Sequence, residues 1–364
     1  MKIFINGHGD ISAAGTKPAE AEATYTRGTP RWSVDTATGL PVYRINELPA
    51  HRAIDAFADR SQPDRATLLA LHAADRAVEN AGWRGKEFAV LVGCSRGPTQ
   101  SWEDGFLHFI KTKLARLRTS PQTTLGSIGF ALANYFGVSS LADSLSVTCS
   151  SGMHAILHGV ALLRAGMVDR VLVGGTEAPL TTFTLRQLEA LRIYAEVPEA
   201  GRHACQPLSH PSSGMAIGEG AAFLALSREP ADFTLAGITF AHERQPSPTG
   251  ISSQGDGLAR TMQELIAEAG HPDIIIAHAP GTEKGDEAEL AAIRTVFGAG
   301  APLVTSYKWA TGHTFGASGP LALTAGLSQY PVSKIMVNAT GFGGNVVSVF
   351  VARTQDAGGA GKAK

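Results

Sequence analysis

Residues 144–166, Ser-Leu-Ser-Val-Thr-Cys-Ser-Ser-Gly-Met-His-Ala-Ile-Leu-His-Gly-Val-Ala-Leu-Leu-Arg-Ala-Gly, constrain this chain more than any other stretch. A short β-prone run breaks at Thr148-Cys149-Ser150-Ser151-Gly152 and gives way to a long apolar helix. That helix carries almost no charge before Arg164, and Met153, Ala155, Ile156, Val160, Ala161, Leu162 and Leu163 spread around its circumference. Burial on most sides is therefore expected. Cys149 sits at the break, where unpaired backbone N–H groups and the positive end of the helix dipole favour thiolate over thiol. A chain prepares a sulfur nucleophile in this way, and on a buried helix such a sulfur needs a tunnel to reach it. A core cysteine fits the same position, because free cysteine is among the most buried residue types.

Composition narrows the classes. With 364 residues, 44% of them hydrophobic, the chain can build one large α/β unit or two ordinary domains. A formal net charge of -1 provides no global field for nucleic acid or an anionic membrane, so neither is expected as a partner. Cys94, Cys149 and Cys205 are too few and too scattered for a disulfide framework, and they form no Cys-x-x-Cys pair, so no metal is expected. The start, Met-Lys-Ile-Phe-Ile-Asn-Gly, is too short an apolar run for a signal peptide, and no stretch reaches the roughly 18 apolar residues of a membrane span. A soluble, cytoplasmic protein is expected.

Along the chain, residues 2–6 read as a strand, and the stretch to Pro63 has little periodicity. Asp64 caps a helix to about Gly82, and Phe88–Val92 reads as a buried strand. A helix over 101–118 carries a stripe of Phe106, Ile110, Leu114 and Leu117, with Lys111, Lys113, Arg116 and Arg118 off it. Those four cations are either a solvated face or a docking patch for an acidic partner. A helix over 127–136 precedes the Cys149 unit, and Val171–Val173 is a strand stopped by Gly174-Gly175-Thr176-Glu177-Ala178. Strands follow over 221–226, 234–240, 274–277, 303–306, 334–338 and 346–351, with helices over 182–191, 257–269, 286–297 and to about Ser328. This alternation argues for mostly parallel sheets covered by helices. Strand, break and small-residue helix occur around Cys149 and again around His313, which suggests a duplicated α/β unit with one shared site. The halves are placed at 1–226, carrying the cysteine, and 227–354, carrying two histidines, with a flexible tail over 355–364.

Six short motifs then stand in one order: Thr148-Cys149-Ser150-Ser151-Gly152, Gly174-Gly175-Thr176-Glu177-Ala178, Gly218-Glu219-Gly220-Ala221, Ala277-His278-Ala279-Pro280-Gly281-Thr282, Lys308 through Gly312-His313, and Gly341-Phe342-Gly343-Gly344. With them the chain resembles the β-ketoacyl-acyl-carrier-protein synthases, condensing enzymes of the thiolase fold. The resemblance implies an α/β, thiolase-like fold of two similar βαβ-type halves in a layered α/β/α/β/α core. It implies that Cys149 takes an acyl chain from a carrier thioester as covalent nucleophile. His278 and His313 would stabilise the enolate left when a malonyl thioester loses carbon dioxide. The backbone N–H groups of Cys149 and Phe342 would form the oxyanion hole, and Phe342 would gate the acyl pocket. Lys308 and Glu289 match the family's lysine and its acidic partner, expected to orient the site and fix histidine protonation. The Cys-His-His set resembles the elongating class, with no cofactor beyond the phosphopantetheine of an acyl carrier protein, and with a homodimer or a heterodimer with a related ketosynthase subunit as the assembly.

The chain departs from the family at Ala279-Pro280-Gly281-Thr282, where relatives usually carry Gly-Thr-Gly-Thr, so that only Thr282 keeps a hydroxyl for the pantetheine arm. Gln206 stands where many relatives carry an arginine for the carrier protein. The chain is also shorter, chiefly between Ser328 and Lys334, which points to a specialised member of a polyene, polyketide or similar pathway. A chain-length-factor-like partner subunit with little activity of its own is the alternative reading. Hydrolysis of the acyl-enzyme is a third, for which no water-activating base can be assigned.

Overall fold

A computed structural model of the chain describes residues 1–51, 63–245, 247, 250, 252–329 and 333–354. The N-terminal half comprises β1 (Ile3–Ser12), α1 (Pro18–Arg27), β2 (Ser33–Val34), β3 (Pro41–Tyr43), α2 (Arg65–Asn80), β4 (Ala89–Gly93), α3 (Thr99–Thr112) and α4 (Thr119–Gln122). It continues with α5 (Gly126–Phe136), β5 (Ala142–Leu145), α6 (Ser151–Arg164), β6 (Arg170–Glu177), α7 (Thr182–Glu189), β7 (Ile217–Gly218) and β8 (Gly220–Ser227). The C-terminal half comprises β9 (Phe233–His242), α8 (Asp256–Ala269), β10 (Ile274–Ile276), α9 (Glu283–Phe297), β11 (Leu303–Thr305), α10 (Lys308–Thr311), α11 (Ser318–Gln329), β12 (Lys334–Gly341) and β13 (Asn345–Arg353). The tail expected over 355–364 lies outside the described residues.

The main sheet runs β11-β10-β12-β13-β9-β1-β8-β6-β4-β5. Counted within its own half, each set of five follows the same order from its outer edge: third, second, fourth, fifth, first. The two halves meet where Ile3, Phe4 and Ile5 of β1 pair with Leu235, Thr234 and Phe233 of β9. This shared order is the physical form of the internal echo, with Cys149 and His313 each following the third strand of its half.

The expectation of mostly parallel sheets is corrected. Among the described residues, pairing in the main sheet is parallel only between β4 and β5, β4 and β6, β10 and β11, and β10 and β12. The pairs closer to the centre are antiparallel. Helical crossovers give parallel neighbours, whereas the short loop from β12 to β13 forces an antiparallel hairpin.

Packing produces five layers. Met153, Ile156 and Leu163 of α6 and Leu323 of α11 share one buried core with Leu91, Val173 and Leu226 of one half-sheet and Ile276, Val337 and Val349 of the other. On the outer faces, α2 and α5 place Leu69, Ala73, Ala77 and Leu132 against Val90, Val92 and Phe223. Met262 and Leu265 of α8 and Ile293 of α9 cover Ile275, Met336 and Phe350. The start of α2 is fixed as its sequence predicts, with Asp64 accepting the N–H of Ala66.

Two local readings change. The Gly174-Gly175-Thr176-Glu177 run does not stop a strand but completes β6. Glycine is required there because a Cβ on Gly174 would lie 2.1 Å from the Ala222 carbonyl oxygen and one on Gly175 2.4 Å from that of Gly316. The helix read over 101–118 ends at Thr112, where Lys113 turns left-handed. Its stripe is not buried: Phe106, Ile110, Leu114 and Leu117 are 49%, 47%, 68% and 89% exposed. Helical spacing reports a common face and not what covers it. Among the described residues, no helix is long and apolar enough to cross a membrane.

Candidate active site

Cys149 stands in the turn between β5 and α6, with Thr148 in the left-handed region at φ 48. Ser151 fastens that turn: its Oγ donates to the Thr148 carbonyl at 2.6 Å and accepts the Val147 N–H at 2.8 Å. Thr148 Oγ1 donates to the Phe342 carbonyl at 3.2 Å, tying the turn to the glycine-rich loop between β12 and β13. The sulfur of Cys149 is buried, and the backbone N–H groups of Cys149 and Phe342 favour its ionised form. These are the two donors expected to form the oxyanion hole.

The expected thiolate is corrected. Burial, reinforced by the Glu177 carboxylate, pushes the Cys149 thiol up to about 12, while Lys308 and the two amides oppose the rise. Removing the sulfur from water outweighs the pull of the helix end, so the resting group is a thiol. Ionisation then has to accompany acyl transfer.

His278 follows β10 and is held by its peptide group. Glu289, on α9, accepts the N–H of His278 at 3.0 Å and of Ala279 at 2.8 Å, while Lys308 Nζ donates to the His278 carbonyl. Glu289 also accepts from Asn338 Nδ2 at 3.1 Å, and Ser348 Oγ donates to Asn338 Oδ1 at 2.8 Å. Both Lys308 and Glu289 are buried, so each stands in a medium that disfavours its charge. They grip the main chain of His278 rather than its ring.

His313 is held by α10 and β7: its N–H donates to the Ala216 carbonyl at 2.8 Å and its carbonyl accepts the Gly218 N–H at 3.1 Å. Its Nδ1 lies 3.0 Å from Ser318 Oγ, and Ser318 Oγ also accepts the Thr314 N–H at 3.0 Å. A Ser318 proton given to Nδ1 leaves the imidazole proton on Nε2, the donor that an anionic oxygen would use. The rings of His278 and His313 stand 5.3 Å apart at 85°. Burial first, then the Lys308 charge, holds both well below the usual imidazole range, so each is a neutral hydrogen-bond donor at pH 7.

Cys149, His278, His313, Thr282, Glu289 and Phe342 line one cavity, together with Phe315 and Met215. Thr282 makes no capping bond at the start of α9. The sequence-predicted cysteine, histidines, lysine, glutamate, threonine and gate are thus gathered in one region. Lys111, Lys113, Arg116 and Arg118 are not: they are exposed, at and beyond the end of α3, and do not line the cavity. Sequence reasoning missed Ser318, Asn338 and the hydrogen bonds that Glu177 accepts. Glu177 and Ser318 lay within or beside quoted motifs, but only the fold reveals what they bond.

Comparison with known proteins agrees with this arrangement. The family described as Beta-ketoacyl synthase, N-terminal domain, matches residues 25–231, and Beta-ketoacyl synthase, C-terminal domain, matches residues 233–330. Nodulation protein E of Rhizobium leguminosarum bv. trifolii is 28% identical over 359 residues, covering 89% of this chain and 85% of that protein. A solved type II PKS acyl-carrier protein in complex with its ketosynthase bound to the hexaketide superposes with a TM-score of 0.85 at 19% identity, over 97% of this chain and 99% of that one. A ketosynthase in complex with its chain length factor from Xenorhabdus doucetiae gives 0.79 at 23% identity, over 97% and 98%. Those two likenesses speak to the fold, and the family match spans both halves that supply the cavity. A cysteine from one half and two neutral imidazoles from the other line one cavity, and with both family models matched across the chain, this chain belongs to the beta-ketoacyl synthase family.

Proposed function

We propose that the protein extends acyl chains by decarboxylative condensation, with Cys149 as nucleophile and His278 and His313 as the hydrogen-bond donors that stabilise the enolate. The observation that carries this reading is that Cys149 and two neutral imidazoles line one cavity. In the first step the Cys149 sulfur attacks a carrier-bound acyl thioester, the carrier thiol leaves with a proton, and the tetrahedral oxyanion is met by the N–H groups of Cys149 and Phe342. In the second, a malonyl thioester loses carbon dioxide, and its enolate oxygen is held by His278 and His313. The enolate carbon attacks the Cys149 thioester, the new carbon–carbon bond forms, and the sulfur is released. Lys308 and Glu289 hold His278, and Thr282 offers its hydroxyl to the pantetheine arm. No cofactor is needed beyond that arm.

Proposed partners are an acyl carrier protein and a second ketosynthase-like chain, either another copy or a related subunit. The exposed apolar side chains of α3 and the segment after it, with Trp102 at 52% exposure stacked on Phe106, favour such a subunit contact. The cations at Lys111, Lys113, Arg116 and Arg118 lie beside that face and supply positive charge for an acidic carrier. A cytoplasmic, polyketide-type or polyene-type pathway remains part of the proposal.

The test is incubation of the protein with carrier protein bearing a set of acyl chains, followed by intact mass, with Cys149→Ala alongside. A mass gain that needs Cys149, discharged by malonyl carrier protein as a two-carbon-longer ketoacyl product, is the expected result. No gain with any chain, together with copurification of a homologous subunit that is itself acylated, would replace this reading by that of a partner subunit.

A further inference from the structure

Glu177, the last residue of β6, is fully buried and has no role in the steps above. Its carboxylate takes four donors. Oε2 accepts the N–H of Ser95 at 2.8 Å and of Gly316 at 3.1 Å, while Oε1 accepts the N–H of Arg96 at 3.0 Å and the S–H of Cys94 at 3.4 Å. No cation pairs with it among the described residues. Only an ionised carboxylate offers two acceptor oxygens and no donor, and an amide in its place would turn an N–H toward one of these donors.

The donors belong to two separate segments. Ser95 and Arg96 lie in the turn after β4, and Gly316 lies in the short 3-10 turn Phe315–Ala317 that follows His313. That second turn is wedged against the start of the nucleophile helix: a Cβ on Gly152 would lie 2.4 Å from the Gly316 carbonyl oxygen, and one on Gly316 3.1 Å from Ser151 Cβ. Phe315 is held there at φ 41, lines the cavity, and has its ring centroid 5.2 Å from that of His313.

The arrangement repeats what Glu289 does in the other half. Glu289 accepts two successive N–H groups, those of His278 and Ala279, in the turn after the second strand of its half. Glu177 accepts two successive N–H groups, those of Ser95 and Arg96, in the turn after β4, the second strand of its half. Glu177 adds a bond across to Gly316, between the nucleophile and the histidine that faces it.

We propose that Glu177 is a positioning residue of the condensing site, pinning the Phe315 turn to β6 and thereby setting His313 and the cavity wall against the N-terminus of the nucleophile helix. It acts through Gly316 and touches no substrate. Its charge carries a second consequence, because the carboxylate holds the Gly316 turn that packs on Ser151, two residues from Cys149, and its charge acts on the sulfur together with that of Lys308. Of these, the Glu177 carboxylate is the group whose charge opposes ionisation of the sulfur.

Glu177→Gln should therefore move two readouts in opposite directions. Alkylation of Cys149 by iodoacetamide at pH 8 should quicken about tenfold, since removing a buried negative charge favours the thiolate. Decarboxylation of malonyl carrier protein should fall about tenfold, since it depends on the placement of His313. A merely loosened fold would not yield a faster thiol and a slower decarboxylation together. Glu177→Asp keeps the charge and shortens the reach, so it should lose decarboxylation with alkylation little changed, and it serves where the glutamine variant does not fold. Wild-type rates in both assays for a folded Glu177→Gln, or wild-type decarboxylation in Glu177→Asp, would overturn the proposal. The decarboxylation arm rests on the condensing function proposed above. If the wild type does not decarboxylate malonyl carrier protein, that function fails while alkylation still tests Glu177.

Discussion

Glu289 and Lys308 present a buried pair whose worth can be measured by removing each charge alone and then both. In Glu289→Gln the amide oxygen can replace Oε1, keeping the bonds from His278 N–H and Asn338 Nδ2, but its NH2 then faces the Ala279 N–H. The orphaned amide costs about 2 kcal/mol. Lys308, 5% exposed, also loses the carboxylate that does most to keep it charged. With that loss included, about 4 kcal/mol of stability should go. Lys308→Met deprives the His278 carbonyl of its donor but leaves Glu289 three N–H partners, so about 2 kcal/mol is expected. The double variant retains only the two unpaired backbone groups, at about 2 kcal/mol each, and should lose about 4 kcal/mol, short of the roughly 6 expected from independent sites. Urea unfolding of the four proteins, followed by circular dichroism and tryptophan fluorescence, measures the cycle. Additive losses would refute the claim that the two charges support each other across the His278 peptide.

Three further outcomes follow from the site. In Gly341→Ala the new Cβ would lie 2.1 Å from Thr148 Oγ1, whose rotation would break its bond to the Phe342 carbonyl, so acylation of Cys149 should fall at least about tenfold; an unchanged acylation rate by intact mass would contradict this. Ser318→Ala removes the partner of His313 Nδ1 and should slow malonyl decarboxylation about tenfold while iodoacetamide alkylation stays within about twofold; equal losses in both assays would point to misfolding instead. Because burial disfavours the charged form and pushes the Cys149 thiol up to about 12, the thiolate fraction grows as pH rises toward that value, and alkylation should quicken about tenfold per unit from pH 6 to 9; a plateau inside that range would show a thiolate already formed.

The grouping of the candidate residues was legible in the sequence because each sits in a short motif of distinct composition. Cys149, His278, His313, Lys308, Glu289, Thr282 and Phe342 all come to one region from separate elements. Quantities set by three-dimensional surroundings were less legible. The helix end at Cys149 is visible in the sequence, but the burial that overrides it is not. The stripe from Phe106 to Leu117 shows helical spacing, yet nothing local says that its residues stay uncovered within one chain. Gly174 and Gly175 look like a break because glycine usually marks one, whereas here they let a strand run within contact of β8 and of the turn after His313. Strand direction failed for a similar reason: alternation of elements predicts crossovers, and the β12–β13 hairpin is not one.

The common strand order of the two halves gives the chemistry a lineage as well as a place. The position after the third strand is one backbone address used twice, holding an electron-rich sulfur in one half and a proton-bearing ring in the other. Because both positions open on one cavity, the proposed condensation draws on both halves at once. The three residue pairs that join β1 to β9 are thus the hinge on which two inert repeats become one enzyme.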